Sequence, residues 1–74
     1  MSLGDNILKK LSIGDKVEYK YVGFEDRGTV CKIRPANIGS PDVYIKTFTH
    51  SEKPLGANTI NQSEYFKVNG KNIK

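Results

Sequence analysis

The stretch that decides the fold is "IGDKVEYKYVGFEDRGTVCKI", residues 13 to 33. Apolar and charged residues alternate through its first half, which places Val17, Tyr19 and Tyr21 on one face of an extended chain and the intervening lysine and glutamate residues on the other. A period of two is typical of a half-buried β-strand. We therefore predict a strand whose tyrosine-bearing face points into the core.

A second strand is predicted from Gly28 to Ile33. Its apolar residues Val30 and Ile33 are three positions apart instead of two, which indicates a β-bulge. Because glycines bound the segment between the two strands, we interpret it as a tight turn with Glu25 and Asp26 at its hydrated tip. Paired catalytic carboxylates need burial that separates their pKa values, so an exposed turn argues against an acid–base site.

The flanking segments complete the predicted fold. Residues 5 to 11 combine capping residues with an apolar stripe, which predicts a short helix docked on the domain. Residues 34 to 42 contain prolines, glycine and asparagine and are predicted to form a loop. A third strand is predicted from Val43 to Phe48, followed by a polar loop at 49–58 and a very short strand at 58–60.

The stretch "EYFKVNGKNIK", residues 64 to 74, has the strongest hairpin signal in the chain. Asn69-Gly70 fits the two-residue type I′ turn that joins antiparallel strands. This turn pairs Val68 with Lys71 and places Phe66 opposite Ile73. We expect Phe66, Val68 and Ile73 to share one face of the hairpin.

The length restricts the chain to one domain. With 74 residues it can bury one small core, and its single cysteine, Cys31, cannot form a disulfide within the chain. The strand and turn pattern predicts a mainly all-β domain over residues 1–74. A short helical segment at 1–12 precedes a small antiparallel barrel of about five short strands at 13–74.

The first two strands resemble those of a known class of small barrels. A Gly-Asp-x-Val start is followed by a glycine-bounded turn and a Gly-x-Val strand with an apolar residue three positions further on. The matching residues are Gly14, Asp15, Val17, Gly28, Val30 and Ile33. This pattern is similar to that of SH3-like barrels of the KOW and Tudor type. The resemblance covers residues 13–33 and implies an SH3-like barrel that binds nucleic acid or docks on a larger protein.

The charge distribution favours an anionic partner. The formal charge is +4, and it is uneven along the chain: residues 1–26 carry four lysines against five acidic residues, whereas residues 27–74 carry eight basic against three acidic residues. A basic surface attracts polyanions, although a solvated lysine-rich surface gives the same count. Lysines supply ten of the twelve basic residues, and lysine is a point charge without the planar fork that reads bases. Low sequence specificity is therefore expected.

The composition argues against an enzyme, a cofactor and a metal site. One cysteine and one histidine are too few for zinc, and nothing evident orients His50 as a base for Cys31. No phosphate-binding glycine loop of the Walker or dinucleotide type is present. No apolar run approaches the length of a membrane span, and no signal-peptide pattern is found. We expect a cytoplasmic protein that does not contact membranes.

A candidate binding surface combines aromatic and basic residues. Tyr44, Lys46 and Phe48 alternate on one face of the third predicted strand, and Tyr65 and Lys67 repeat the pattern on the hairpin, with Lys74 opposite Tyr65. Aromatic rings stack on unpaired bases and lysine meets phosphates. The predicted nucleic-acid-binding residues are Lys32, Arg34, Tyr44, Lys46, Phe48, Tyr65, Lys67 and Lys71.

Other interpretations of these residues remain open. Tyr44 and Phe48 are alternatively core residues. Tudor-like barrels often hold methylated lysine or arginine in an aromatic cage, for which Tyr19, Tyr21, Phe24, Tyr44 and Phe48 are the candidates. A protein-interaction module would instead dock through a sheet edge or the 49–58 loop, as a monomer or weak homodimer. Basic residues that converge on one face with a tyrosine favour nucleic acid; scattered ones favour a protein partner.

Overall fold

A computed structural model describes residues 2–74 as a six-stranded antiparallel sheet with two short helices. The elements are α1 (Leu3–Lys10), β1 (Lys16–Tyr21), β2 (Phe24–Arg34), β3 (Asp42–Lys46), β4 (Lys53–Leu55), α2 (Ala57–Gln62), β5 (Phe66–Val68) and β6 (Lys71–Asn72). Among the described residues no helix is long and apolar enough to cross a membrane.

The strands lie in the order β4-β3-β2-β1-β5-β6, and the sheet is open. The mainly β prediction is confirmed, but the strands number six, not about five, and because the sheet is not closed the predicted antiparallel barrel is not confirmed. The strand that was not predicted is β4, which has three residues with a proline in the middle. Because proline removes a ladder donor, β4 occupies an edge of the sheet and gives little strand signal in the sequence.

The β1–β2 hairpin corrects the prediction for the turn. Val22 and Gly23 form its two-residue connection, with φ of 52° and 78°, and positive φ at both positions fits a type I′ turn. Glu25 and Asp26 therefore belong to β2, where they pair with Lys20 and Tyr19 of β1. The prediction that these carboxylates form a hydrated loop tip was wrong because a valine was not expected in a left-handed backbone conformation.

Replacing Val22 with asparagine is expected to stabilise the domain. A β-branched residue at φ 52° is strained, and the Val22 side chain is 70% exposed, so it contributes little burial. Asparagine tolerates this conformation and should raise the free energy of unfolding by about 0.5–1 kcal/mol. Urea denaturation measures the change. Val22→Thr is the matched control, since it is polar but β-branched; an equal gain from threonine would contradict the argument.

Two local features bend the long strand β2. The register with β3 shifts between Val30 and Lys32, which confirms the predicted bulge and leaves Cys31 exposed beside it. Gly28 lies where a Cβ atom would approach the carbonyl oxygen of Lys46 to 2.7 Å. Only glycine permits this approach of the two strands without a backbone shift.

The N-terminal helix is specified by its cap and its apolar side. Ser2 and Asp5 form a capping box, in which each side chain bonds the other residue's backbone N–H. Ile7, Leu8 and Leu11 are buried, as the apolar stripe predicts. Helix α1 also approaches α2 so closely that a Cβ on Gly4 would lie 2.3 Å from a backbone oxygen of α2.

The core lies between one side of the sheet, here called the inner side, and the two helices. Its buried apolar residues are Ile7, Leu8, Leu11, Val17, Tyr19, Val30, Val43, Ile45, Leu55, Ile60 and Phe66. Phe66 is fully buried, and its ring stacks on that of Tyr19 with centroids 5.7 Å apart. The inward orientation predicted for Val17 and Tyr19 is therefore confirmed, and Tyr21 packs at the margin of this core.

The segment between β4 and β5 departs from the prediction. Residues 58–60 belong to α2 instead of a strand, and the predicted 49–58 loop contains β4. The hairpin register is as predicted: Val68 pairs with Lys71, and the backbone N–H of Ile73 donates to the carbonyl of Phe66. The paired part of the hairpin ends at Lys67 and Asn72, short of the predicted Tyr65–Lys74 pair, and the Lys74 side chain is directed to α2. Its ammonium donates to backbone carbonyls near the C-terminal end of α2, where a cation is favourable.

Candidate nucleic-acid interface

The solvent-facing side of β1, β2, β3 and β5 is here called the outer face. Directly paired residues of antiparallel strands project to the same side, so the register fixes its membership. The charged and tyrosine side chains on it are Lys16, Glu18, Lys20, Glu25, Arg27, Lys32, Arg34, Asp42, Tyr44, Lys46 and Lys67. Seven of these are basic and three acidic. Two acids outside the strands also pair with lysines of this face, Glu64 with Lys20 at 3.6 Å and Glu52 with Lys32 at 3.5 Å, so the basic excess of the outer face is smaller than the strands alone suggest.

Lysine and tyrosine side chains pair at two places near this face. The ammonium of Lys32 lies 5.6 Å from the ring centroid of Tyr44, and that of Lys67 lies 5.5 Å from the ring of Tyr65. Lys32 also makes an exposed ion pair with Glu52 at 3.5 Å, a contact of little energetic weight. In each pair the ammonium lies over one face of the tyrosine ring.

Five of the eight predicted binding residues lie on the outer face: Lys32, Arg34, Tyr44, Lys46 and Lys67. Lys71 does not, because it pairs with Val68, which in turn pairs with the buried Val17; it projects on the opposite side. Lys71 therefore does not converge with the other predicted cations. Successive residues of a strand project to opposite faces. Lys67 precedes the Asn69-Gly70 turn on the outer face, whereas Lys71 follows the turn on the other face.

Phe48 is neither core nor part of the third strand. Strand β3 ends at Lys46, after which the chain turns, with the backbone N–H of Thr47 donating to the carbonyl of His50 at 2.9 Å. The Phe48 side chain is 104% exposed, so the core alternative is excluded for it. Tyr44 is half-buried beside Lys32.

Phe48 and Tyr65 instead line a shared groove of about 200 Å³. The groove lies on the outer face, where Glu18, Glu25 and Arg27 also line it. Desolvation raises the pKa of Tyr65, and the charge of Glu25 and a hydrogen bond to its carboxylate raise it further. We call this the ring groove. Because Asp26 also lines it, the groove combines two aromatic rings, three carboxylates and one guanidinium.

A second recess of about 390 Å³ opens on the inner side, next to the β1–β2 turn. We call it the hairpin cavity; its lining includes Tyr19, Tyr21, Phe24, Asp26 and Lys53. Asp26 accepts hydrogen bonds from the ammonium of Lys53 at 2.5 Å and from the hydroxyl of Tyr19 at 3.2 Å. Three of the five proposed cage residues therefore meet here, whereas Tyr44 and Phe48 do not.

Ionisation in the hairpin cavity follows from these contacts. Burial opposes the charge on Asp26, but the hydrogen bond and charge of Lys53 outweigh it and hold the pKa of Asp26 below its usual value. Burial, followed by the nearby negative charge of Asp26, raises the pKa of Tyr19 to about 12. At neutral pH Asp26 and Lys53 therefore form an ion pair beside the neutral phenol of Tyr19.

Acid should weaken the contribution of Asp26 to stability. Its folded pKa lies below its unfolded value, so the stabilisation is present above the unfolded pKa and is lost as the pH falls through the folded pKa. Asp26→Asn should therefore lower the free energy of unfolding at about pH 7 and much less at about pH 3. Asp42→Asn, at an exposed carboxylate of the sheet, is the control. If the difference in free energy of unfolding between wild type and Asp26→Asn is the same at both pH values, the prediction is contradicted.

The exposed cysteine and the histidine make separate contacts. The Cys31 thiol lies beside the carbonyl oxygens of Tyr44 and Ser51 at 3.5 and 3.7 Å, while His50 Nδ1 contacts the Thr49 hydroxyl at 2.9 Å. Cys31 is solvent-exposed instead of packing as a small apolar residue. Within residues 2–74 no group of three His, Cys, Asp or Glu side chains is placed to hold a metal ion.

Sequence reasoning missed the contribution of β1 and the first half of β2 to the outer face. Lys16, Lys20 and Arg27 belong to it, together with Glu18 and Glu25. The alternation of β1 already separates its lysines from its core residues. Placing Arg27, however, requires knowing that β2 begins at Phe24.

Comparison with known proteins does not identify the chain. No protein-family profile matches it, and neither a curated protein nor a solved structure matches it significantly.

Proposed function

We propose that this protein is a non-enzymatic binding module that binds nucleic acid through its outer face. The observation that supports this is the strand register, which directs seven basic side chains, against three acidic ones, to one side of the sheet. A surface of clustered lysine and arginine attracts the phosphate backbone and releases its counterions on binding. The half-buried ring of Tyr44, next to Lys32, adds a stacking surface to that charge.

The chemistry of the outer face favours single-stranded DNA or RNA bound with low sequence specificity. Five of its seven basic residues are lysines, which contact phosphates as point charges. Exposed rings stack on unpaired bases, and bases inside a duplex do not offer their faces to them. We therefore expect single strands to bind more tightly than duplexes of equal length.

The fold proposal that accompanies this function is an open, SH3-like barrel. Strand β5 returns to pair with β1 after a short helix, and β1 to β4 are neighbours in chain order. This order agrees with the resemblance of residues 13–33 to KOW and Tudor barrels. The strand pairs β4–β3 and β5–β6 lie at the two ends of the sheet.

Chemical-shift mapping tests the proposed surface. Titrating isotope-labelled protein with a single-stranded thymidine oligonucleotide of about 12 nucleotides should shift backbone resonances on β1, β2 and β3. Resonances around Lys32, Tyr44 and Lys46 should move most, and those of Lys71 on the opposite side should stay in place. Shifts confined to the hairpin cavity, or none at low salt, would contradict the proposal.

A protein partner is the second candidate function, and the hairpin cavity favours it. Val22 holds a strained backbone at the turn, and Phe24 beside it is 77% exposed. Exposed apolar residues beside a recess are typical of protein-docking sites. The location differs from the predicted 49–58 loop. Shifts around Tyr21 and Phe24 on addition of a candidate partner protein, lost in a Phe24→Ser variant, would support this function; unchanged binding by that variant would contradict it.

A further inference from the structure

The ring groove has the size of a site for one planar group. Its volume is about 200 Å³, below the range of about 300–1,000 Å³ that drug-sized ligands occupy. Phe48 comes from the loop after β3, and Tyr65 immediately precedes β5, so the two rings arise from different parts of the chain. The charged residues of the lining, Glu18, Glu25, Asp26 and Arg27, come from β1 and β2.

The aromatic rings of the groove are accessible to a ligand. Phe48 is 104% exposed, so its ring is covered by no other side chain. An aromatic ring held in water at a concave site gains by stacking on a flat partner. Tyr65 is held differently: its ring lies against the Lys67 ammonium, and its hydroxyl is directed towards the carboxylate of Glu25.

The surroundings of the groove favour a nucleotide over a free cation. Lys16, Lys20, Lys46 and Lys67 lie on the same outer face as its carboxylates. The groove itself holds three carboxylates against one guanidinium, so these surrounding lysines attract the phosphates that flank a base entering it. Arg27, which lines the groove, supplies a guanidinium whose planar fork suits a phosphate oxygen pair.

The carboxylates select among the bases. An ionised carboxylate offers only acceptors, and its two oxygens match two neighbouring N–H donors. Guanine presents such a pair on its Watson–Crick edge, N1–H beside the N2 amino group. Adenine, cytosine, thymine and uracil present a donor flanked by at least one acceptor there, which a carboxylate repels. We propose that the ring groove binds one unpaired guanine, stacked on Phe48 and Tyr65, with Glu25 accepting from N1–H and N2–H.

This inference rests on the proposed nucleic-acid function and goes beyond it by adding selectivity at one nucleotide. The lysines of the outer face contact phosphates irrespective of sequence. The ring groove then sets a preference at the one base that enters it. Selectivity for guanine and affinity for single strands are consequently separate observables.

The test compares three labelled oligonucleotides on the wild-type chain by fluorescence anisotropy. The first is a thymidine oligonucleotide of about 12 residues; the second and third carry one central guanine or one central hypoxanthine. Hypoxanthine lacks the N2 amino group, so it isolates the second hydrogen bond. The guanine oligonucleotide should bind at least about fivefold more tightly than either of the others, as expected for one bidentate contact.

The outcomes separate the inference from the proposed function. Equal affinity for all three oligonucleotides overturns guanine recognition and leaves the nucleic-acid function standing. Absence of binding to any of them at low salt overturns both. Equal affinity for the guanine and hypoxanthine oligonucleotides, with both affinities higher than that for the thymidine oligonucleotide, also overturns the inference. In that case the N2 amino group makes no contact.

Variants locate the selectivity on Glu25. Glu25→Gln replaces the acceptor pair with one acceptor and one donor, so the ratio of guanine to thymine affinity should fall to about one. Asp42→Asn is the matched control: it removes the same charge from an exposed outer-face position that does not line the groove, and the ratio should persist. A ratio preserved in Glu25→Gln, or lost equally in Asp42→Asn, overturns the assignment.

Discussion

Phe66→Ala is expected to leave the domain largely unfolded at room temperature. Phe66 is the largest fully buried side chain, and it stacks on Tyr19 at 5.7 Å. It also comes from β5, which holds the C-terminal part of the chain against β1. Truncating a buried phenylalanine costs about 3–5 kcal/mol. A domain this small starts near the low end of the usual 5–15 kcal/mol, so the loss removes most of its stability.

The control for this prediction is Phe24→Ala. Phe24 is 77% exposed, so its truncation should change the free energy of unfolding by no more than about 0.5 kcal/mol. Urea denaturation followed by circular dichroism measures both variants. Comparable destabilisation by the two alanines would contradict the assignment of the core.

Replacing Lys46 and Phe48 together with alanine is expected to remove most single-strand binding. Lys46 supplies an exposed charge on the outer face, and Phe48 supplies the exposed ring of the ring groove. Stacking on one aromatic residue is worth about 1–3 kcal/mol per base, equivalent to about 5–150-fold in affinity. The lost lysine also removes one counterion-releasing contact and lowers the salt dependence. Anisotropy titrations should show a fall of at least about tenfold.

The matched control removes the same kinds of side chain elsewhere. Lys71 projects on the side opposite the outer face, and Ile38 is an exposed apolar residue in the loop before β3, 92% exposed. The double variant Lys71→Ala with Ile38→Ala therefore loses one positive charge and one exposed apolar side chain. Its affinity should remain close to that of the wild type. Equal losses in the two double variants would show that net charge, not the outer face, governs binding.

Local patterns predicted much of the fold. The alternation in β1 correctly oriented Val17 and Tyr19, and the three-residue spacing of Val30 and Ile33 correctly indicated the bulge. Asn69 and Gly70 both have positive φ, which agrees with the type I′ turn predicted from their identities. Each of these features depends on residues close together in the chain, where side-chain identity directly limits the backbone.

The features that were missed depend on weaker or longer-range signals. Val22-Gly23 is a poor turn signal because valine disfavours positive φ, so the prediction moved the turn to Glu25 and Asp26. Helix α2 has no side-chain N-cap hydrogen bond, and its stability comes from packing against α1 around Gly4. Helices this short form only with tertiary support.

The candidate site was predicted in part for the same reason. Strand alternation grouped Tyr44 with Lys46, and the structure keeps both on the outer face with Lys32. Strand alternation could not predict that Phe48 and Tyr65 line the same groove, because this depends on the path of the loop after β3. The separation of Lys71 from Lys67 was implicit in the predicted hairpin register, which had already paired Lys71 with Val68.

The most direct test of the nucleic-acid function is the salt dependence of single-strand binding. Anisotropy with random single-stranded DNA, RNA and duplex DNA is measured between about 50 and 200 mM salt. Binding that is strongest for single strands and falls steeply and log-linearly with salt is the predicted result, because phosphate contacts release counterions. No binding to any of the three nucleic acids at the lowest salt would contradict the account and leave the lysines of the outer face as solvated surface charge.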